Sequence, residues 1–193
     1  LSIHDREESK IPPKQFGETA VKHTQGSFEY EEVSRNLLES YTEDTLILCG
    51  YNSTRNKINQ YVRNALGFYL QEPQTGDRVI CLRNNHEKGV YNGMIGTINN
   101  IEGVDKKWYQ AEINMDELDK PYFGKIFAPQ FNSPEPYNFT KDRKEAGGGD
   151  LFDFGYALTV HKAQGSQSKR VVLFEERFKQ MDELEWRRWL YTG

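Results

Sequence analysis

The sequence predicts an α/β domain with a parallel sheet, interrupted by a small β-barrel insertion. Two textures predict it. Short apolar runs that lead into helically periodic stretches occupy residues 1–75 and return in residues 151–193. Between them, residues 76–150 hold short, partly alternating runs broken by Asn, Gly and charged turns, which suits a compact antiparallel module with its return loop. A chain of 193 residues can give the first texture a sizeable core and still carry the second.

In the first forty residues Pro12 and Pro13 break the start, and Val33, Leu37 and Tyr41 recur at four-residue spacing, as in a peripheral helix. "TLILC" (45–49) is an apolar run followed by Gly50 and a polar turn. "NKINQYVRNALG" then puts Ile58, Tyr61, Val62, Ala65 and Leu66 on one helical stripe, with Gly67 as its C-terminal stop. From Gly76, "RVICL", "GTINNI" and "KWYQAEINM" read as strands, and Asn92-Gly93 favours a tight turn for purely local reasons. Residues 121–150 hold four of the seven prolines and end in Gly147, Gly148 and Gly149, so they read as a loop or return connection. The three glycines are either a natural hinge or a linker standing in for a longer excursion. After Phe152, "ALTV" is a strand and "RVVLF" (170–174) a buried strand, and "ELEWRRWLY" sets Trp186, Trp189 and Leu190 on one helical face.

Composition narrows the function classes. Hydrophobic residues at 36% and charged residues at 28% describe a globular chain. No apolar run approaches the roughly 20 residues that span a bilayer, and "LSIHDREESK" lacks the regions of a signal peptide, so a cytoplasmic protein with no membrane partner is expected. Cys49 and Cys81 lie in apolar runs and read as buried reduced thiols. The four histidines share no ligand spacing with them or with each other, so no metal site is expected. A net charge of −4 means that any nucleic-acid site is a local groove rather than a general positive field.

The stretch with most chemistry is "YALTVHKAQGSQ" (156–167). The loop after "ALTV" falls at the carboxyl end of a strand, where open α/β sheets put their ligand sites. There His161, Lys162, Gln164 and Ser166 offer donors, and Gly165 lets backbone N–H groups approach an anion such as a phosphate. A polar loop with a solvated lysine and a histidine bonded to a neighbouring carbonyl accounts for the same residues.

"TVHKAQGS" resembles the fifth helicase motif of superfamily 1 helicases, closest to the RecD-like and Dda-like branch that moves 5′ to 3′ on single strands. Other segments are similar to that family in its own order. "LSIHDREESKI" resembles its fourth motif, "YNSTRNKIN" its Thr-Asn turn entering a helix, "GDRVICLRNNHEKGVYNGMIGTI" the strand leading into its inserted SH3-like barrel, and "RRWLYTG" the run into its sixth motif. The resemblance implies a RecA-like motor domain interrupted by an SH3-like barrel. It further implies that Arg6 neutralises γ-phosphate charge in the transition state, and that Gln164, Gly165 and Gln167 lie on the nucleotide side. Other helicases of the superfamily often carry a Glu at the position of Gln167. Asn52, Thr159, His161 and Lys162 would face the DNA strand; Asn52 reads equally as a helix cap.

No G-x-x-x-x-G-K-[ST] occurs in the 193 residues. The resemblance therefore implies the second motor domain of a larger helicase, with single-stranded DNA and a missing N-terminal motor domain as partners. ATP and Mg²⁺ would be cofactors of the full-length enzyme, with none bound by this fragment alone. The chain also ends at Gly193, before the arginine of the family's sixth motif. The reading from another class is a non-catalytic module that binds nucleic acid or protein on a degenerate helicase domain.

Overall fold

The computed structural model describes residues 15–16, 20–21, 28–137, 143–163 and 168–192. They form two compact units. One comprises the described residues up to Tyr51 together with those from Leu158 onward, and the other comprises Asn52–Ala157.

The first unit holds a two-stranded antiparallel ladder, β1 (Gln15–Phe16) with β2 (Ala20–Val21), and helix α1 (Phe28–Glu39). Its main sheet contains β3 (Thr45–Cys49), β9 (Ala157–Thr159) and β10 (Arg170–Leu173) in the order β10-β3-β9. β10 runs parallel to β3, from Arg170 opposite Thr45 to Leu173 opposite Leu48. The continuous apolar run "TLILC" is explained by its central place: Ile47, Leu48 and Cys49 are almost wholly buried. "RVVLF" differs from expectation. Among the described strands β10 lies at an edge, so only Val172 is buried and Val171 is 49% exposed. Helix α4 (Glu183–Thr192) begins in a reciprocal cap, in which Glu185 N–H donates to Asp182 Oδ1 (2.8 Å) and Asp182 N–H to Glu185 Oε2 (3.1 Å). Trp186 and Trp189 form its buried face, as their spacing predicts.

The second unit joins helix α2 (Asn52–Ala65) to a five-stranded antiparallel sheet of β4 (Arg78–Cys81), β5 (Ile95–Gly103), β6 (Trp108–Met115), β7 (Tyr122–Phe127) and β8 (Phe152–Phe154), in the order β7-β6-β5-β4-β8. A short helix α3 (Arg143–Ala146) precedes β8. Val79, Cys81, Ile98, Ile113, Ile126 and Phe152 fill the core. The ladder does not run continuously around a closed barrel. Instead β7 meets Asp150, two residues before β8, at a single parallel bridge with Ile126, where Phe127 N–H donates to the Asp150 carbonyl (3.0 Å) and Asp150 N–H to the Lys125 carbonyl (2.8 Å). An α/β chain with a parallel sheet, interrupted by an antiparallel module, is what the fold class predicts.

Three local expectations change. β7 and the short helix α3 lie in the stretch read as a loop; "YFGKIF" alternates buried and exposed residues up to Lys125, and Pro121 stands just before the strand, where its missing N–H costs nothing. Within the glycine run Gly149 meets a packing constraint, since a Cβ there would lie 2.5 Å from the Lys125 carbonyl oxygen and 2.6 Å from Trp108. The α2 stripe is rotated: Tyr61 and Leu66 are 40% and 44% exposed, while Arg55, Asn59 and Arg63 are buried beside Ile58 and Val62. Their partners are charged or polar. Arg55 pairs with Asp153 (2.8 Å), Arg63 pairs with Asp77 (2.8 Å), and Asn59 accepts from Ala157 N–H (2.7 Å) and donates to the Phe154 carbonyl (3.2 Å). Gly67 ends the helix segment at φ +91°, as its position predicts.

Candidate functional site

The strand ends of the first unit build the site. Val160 N–H donates to the Cys49 carbonyl (3.0 Å), and the Cys49 thiol donates to the Leu158 carbonyl (3.5 Å), so the turn after β9 and the turn after β3 emerge side by side. The chain after β9 closes on itself: Lys162 N–H (2.8 Å) and Ala163 N–H (3.2 Å) both donate to the Thr159 carbonyl. Val160 and Ala163 are buried and anchor this turn, which leaves His161 exposed and Lys162 half-buried between them. Thr159 is itself 9% exposed, so it offers solvent little beyond an edge. The order Val-His-Lys-Ala in the sequence is thus an in-out-out-in pattern on one tight turn.

At the neighbouring strand end, one carboxylate oxygen holds two successive amides. Glu176 Oε2 accepts from Gly50 N–H (2.7 Å) and from Tyr51 N–H (3.0 Å). Because β10 is parallel to β3, both strands deliver their following residues to the same edge, and Glu176 reaches across from one to the other. Gly50 fits this approach, for a Cβ there would lie 3.0 Å from the Glu176 Cβ and 3.3 Å from the Phe178 ring. The Tyr51 ring meets Phe178 edge-on at 4.6 Å, and Phe178 meets Trp189 at 6.5 Å. Trp189, Val160, His161, Met181, Glu185 and Arg188 line a cavity of about 350 Å³.

The expected residues are therefore distributed as follows. Thr159, His161 and Lys162 share one turn. Asn52 is the half-buried first residue of α2 and belongs to the other unit. Arg6, Gln164, Gly165 and Gln167 lie outside the described residues. Sequence reasoning did not single out Tyr51 or Glu176. Tyr51 was discoverable as an aromatic beside the glycine that ends an apolar run, whereas nothing local announces Glu176, which is 126 residues from Gly50. Among the described residues no cluster of His, Cys, Asp or Glu could hold a metal ion, and no helix is long and apolar enough to cross a membrane.

Residues 154–193, which include the His161 turn and α4, match the family model of the UvrD-like helicase C-terminal domain. That segment is similar to the C-terminal domain of UvrD-like helicases. A protein described as ATP-dependent DNA helicase Pif1 from Campylobacter jejuni is 24% identical over 188 residues, covering 75% of this chain and 39% of that protein. An uncharacterised protein of Methanocaldococcus jannaschii is 29% identical over 122 residues, covering 55% of this chain and 9% of its own length. Among solved structures, the Pif1 helicase from Bacteroides in complex with ADP-AlF3 and single-stranded DNA superposes with a TM-score of 0.48 at 15% identity, over 88% of this chain and 48% of that one. A likeness of that degree assigns no function. The chain spans less than half the length of the relatives named here. The resemblance carried by "TVHKAQGS" thus holds at the level of the helicase family, with the matched segment at this chain's C-terminal end.

Proposed function

We propose that this chain is the second, RecA-like motor domain of an ATP-dependent DNA helicase that moves 5′ to 3′ on single-stranded DNA, with the antiparallel module as its SH3-like insertion. The observation that supports it is the family match over residues 154–193, because that match contains the outward-facing His161–Lys162 turn at a strand end. In this reading His161, Lys162 and Thr159 contact the strand backbone, Asn52 adds a phosphate contact, and Arg6, Gln164, Gly165 and Gln167 serve the nucleotide. Each phosphate contact adds about −0.7 to the slope of log affinity against log salt. Residues 1–75 and 151–193 then form the motor domain in sequence, and residues 76–150 the insertion.

ATP and Mg²⁺ belong to the complete enzyme. These 193 residues contain no Walker A lysine or adjoining hydroxyl to hold the phosphates and the ion, so the isolated chain hydrolyses no ATP. In the complete enzyme the nucleotide sits between this domain and an N-terminal motor domain, and closing of that cleft advances the strand. The decisive experiment measures ATP hydrolysis by the complete natural protein with and without single-stranded DNA. Strong stimulation by the strand is expected. A folded protein that hydrolyses nothing under either condition would overturn the motor reading in favour of a non-catalytic binding module, with the His161 turn as its docking surface.

A further inference from the structure

Tyr51 is an exposed aromatic that the fold goes to some length to immobilise. The residue is 38% exposed at the strand-end edge of the sheet. It is held from three directions: its N–H by the Glu176 carboxylate (3.0 Å), its hydroxyl by the Arg177 carbonyl (3.4 Å), and its ring by the Phe178 edge (4.6 Å). All three partners come from one three-residue segment, and the same carboxylate oxygen fixes Gly50 immediately before it. An exposed tyrosine left to itself samples several rotamers, whereas this one is preorganised before any ligand arrives.

Its location adds the chemistry. The β3 end that carries Tyr51 is bonded to the β9 end that carries His161 through Val160 N–H and the Cys49 carbonyl. A flat, electron-rich surface beside a turn that offers donors suits a ligand with alternating π-faces and phosphates. We propose that Tyr51 is a stacking platform for a base of single-stranded nucleic acid, and that Glu176 is the positioning residue that sets the ring. This rests on the strand-binding reading above and adds to it a base contact that none of the backbone-facing residues supplies. Stacking on an aromatic tolerates any base, because every base has a π-face, so the contact grips the strand without reading its sequence.

The test titrates a fluorescent oligothymidylate containing one 2-aminopurine into the 193-residue chain and into Tyr51→Phe, Tyr51→Leu and Glu176→Gln, at several salt concentrations, with thermal melts as a check on folding. For Tyr51→Leu the expected result is affinity lower by on the order of tenfold and loss of 2-aminopurine quenching. The salt slope should stay unchanged, because no phosphate contact is removed. Tyr51→Phe should retain both affinity and quenching, and Glu176→Gln, which keeps an acceptor but weakens both amide bonds, should fall between. Equal affinity and quenching for Tyr51→Leu and Tyr51→Phe, with the wild-type chain binding the strand, would overturn the stacking role and leave strand binding in place. A folded wild-type chain that binds no strand would overturn strand binding and the stacking role with it.

Discussion

Replacing Asp77 by Asn tests how α2 is locked to the antiparallel sheet. The Arg63 guanidinium is wholly buried and makes four hydrogen bonds, two to the Asp77 carboxylate (2.8 and 2.9 Å) and two to the carbonyls of Leu70 (2.8 Å) and Glu72 (2.9 Å), with the Phe154 ring 4.0 Å away. Asp77 also accepts from the Tyr156 hydroxyl (2.7 Å) and from Gln74 N–H (2.8 Å). Burial, reinforced by the Asp77 charge, pushes the Tyr156 phenol well above its ordinary value, so it remains a neutral donor. Asn keeps the shape but brings an NH₂ against donors and leaves a buried cation without its counter-charge. Breaking one side of such a pair costs about 3–5 kcal/mol. Turning both residues apolar, with Arg63→Met and Asp77→Leu together, should not recover that loss as it does for isolated pairs. Two carbonyls and one N–H would lose their partners, and the Tyr156 hydroxyl its acceptor, at the same time. Urea unfolding followed by far-ultraviolet circular dichroism measures both variants. A loss below about 1 kcal/mol for Asp77→Asn, or full recovery in the double variant, would refute the reasoning.

In the complete natural protein, His161→Ala should weaken coupling to the strand, and Arg6→Ala should lower turnover with strand binding intact; strand-stimulated turnover unchanged in both would refute the site assignment. Asp150 gives a pH test. Burial alone would raise its carboxyl, but hydrogen bonds from Lys88, Asn85 and Tyr122 outweigh this and hold it below the ordinary carboxylate value. A lowered folded value means that its contribution is complete above the unfolded carboxylate pKa of about 3.9 and is lost as pH falls through the folded value. The stability gap between the wild-type chain and Asp150→Asn should therefore be constant near neutrality and shrink below about pH 4, as read from urea midpoints across pH. Gly149→Ala places a methyl against the Lys125 carbonyl oxygen and Trp108, and should cost on the order of 1–3 kcal/mol in the same assay.

What the sequence made legible follows from what local pattern can carry. "TLILC", "ALTV" and the α4 tryptophan face were readable because uniform burial or a helical stripe writes itself into adjacent residues. The α2 face was not, because Arg55 and Arg63 look like solvent residues until Asp153 and Asp77 are known to stand opposite them. β7 was hidden by its flanking prolines and by Gly124, which reads as a turn residue. In the fold, a Cβ there would meet the Lys88 ammonium and lie 2.6 Å from the Tyr122 hydroxyl, so a side chain at this position would push both aside. The candidate site divides in the same way. The His161 turn is contiguous and was legible, whereas the Gly50–Tyr51–Glu176 arrangement depends on the parallel pairing of β3 with β10 and exists only in three dimensions. The compact units likewise divide at 51/52 and 157/158, where the sequence texture changes at 75/76 and 150/151, since the buried polar face of α2 ties that helix to β8.

The Asn59 clasp bears on the order in which the chain can fold. β3 and β10 must find each other across more than a hundred intervening residues, and an open loop of that length makes parallel pairing slow and entropically costly. Asn59 binds Ala157 and Phe154 within its own unit, which joins the beginning and the end of the intervening segment across 98 residues. Once that unit has formed, the loop separating the two parallel strands is effectively short. The antiparallel module then acts as a scaffold for the parallel sheet that surrounds it in sequence. Asn59→Ala should slow the appearance of the β3–β10 pairing more than it slows the module itself, in refolding followed by hydrogen exchange.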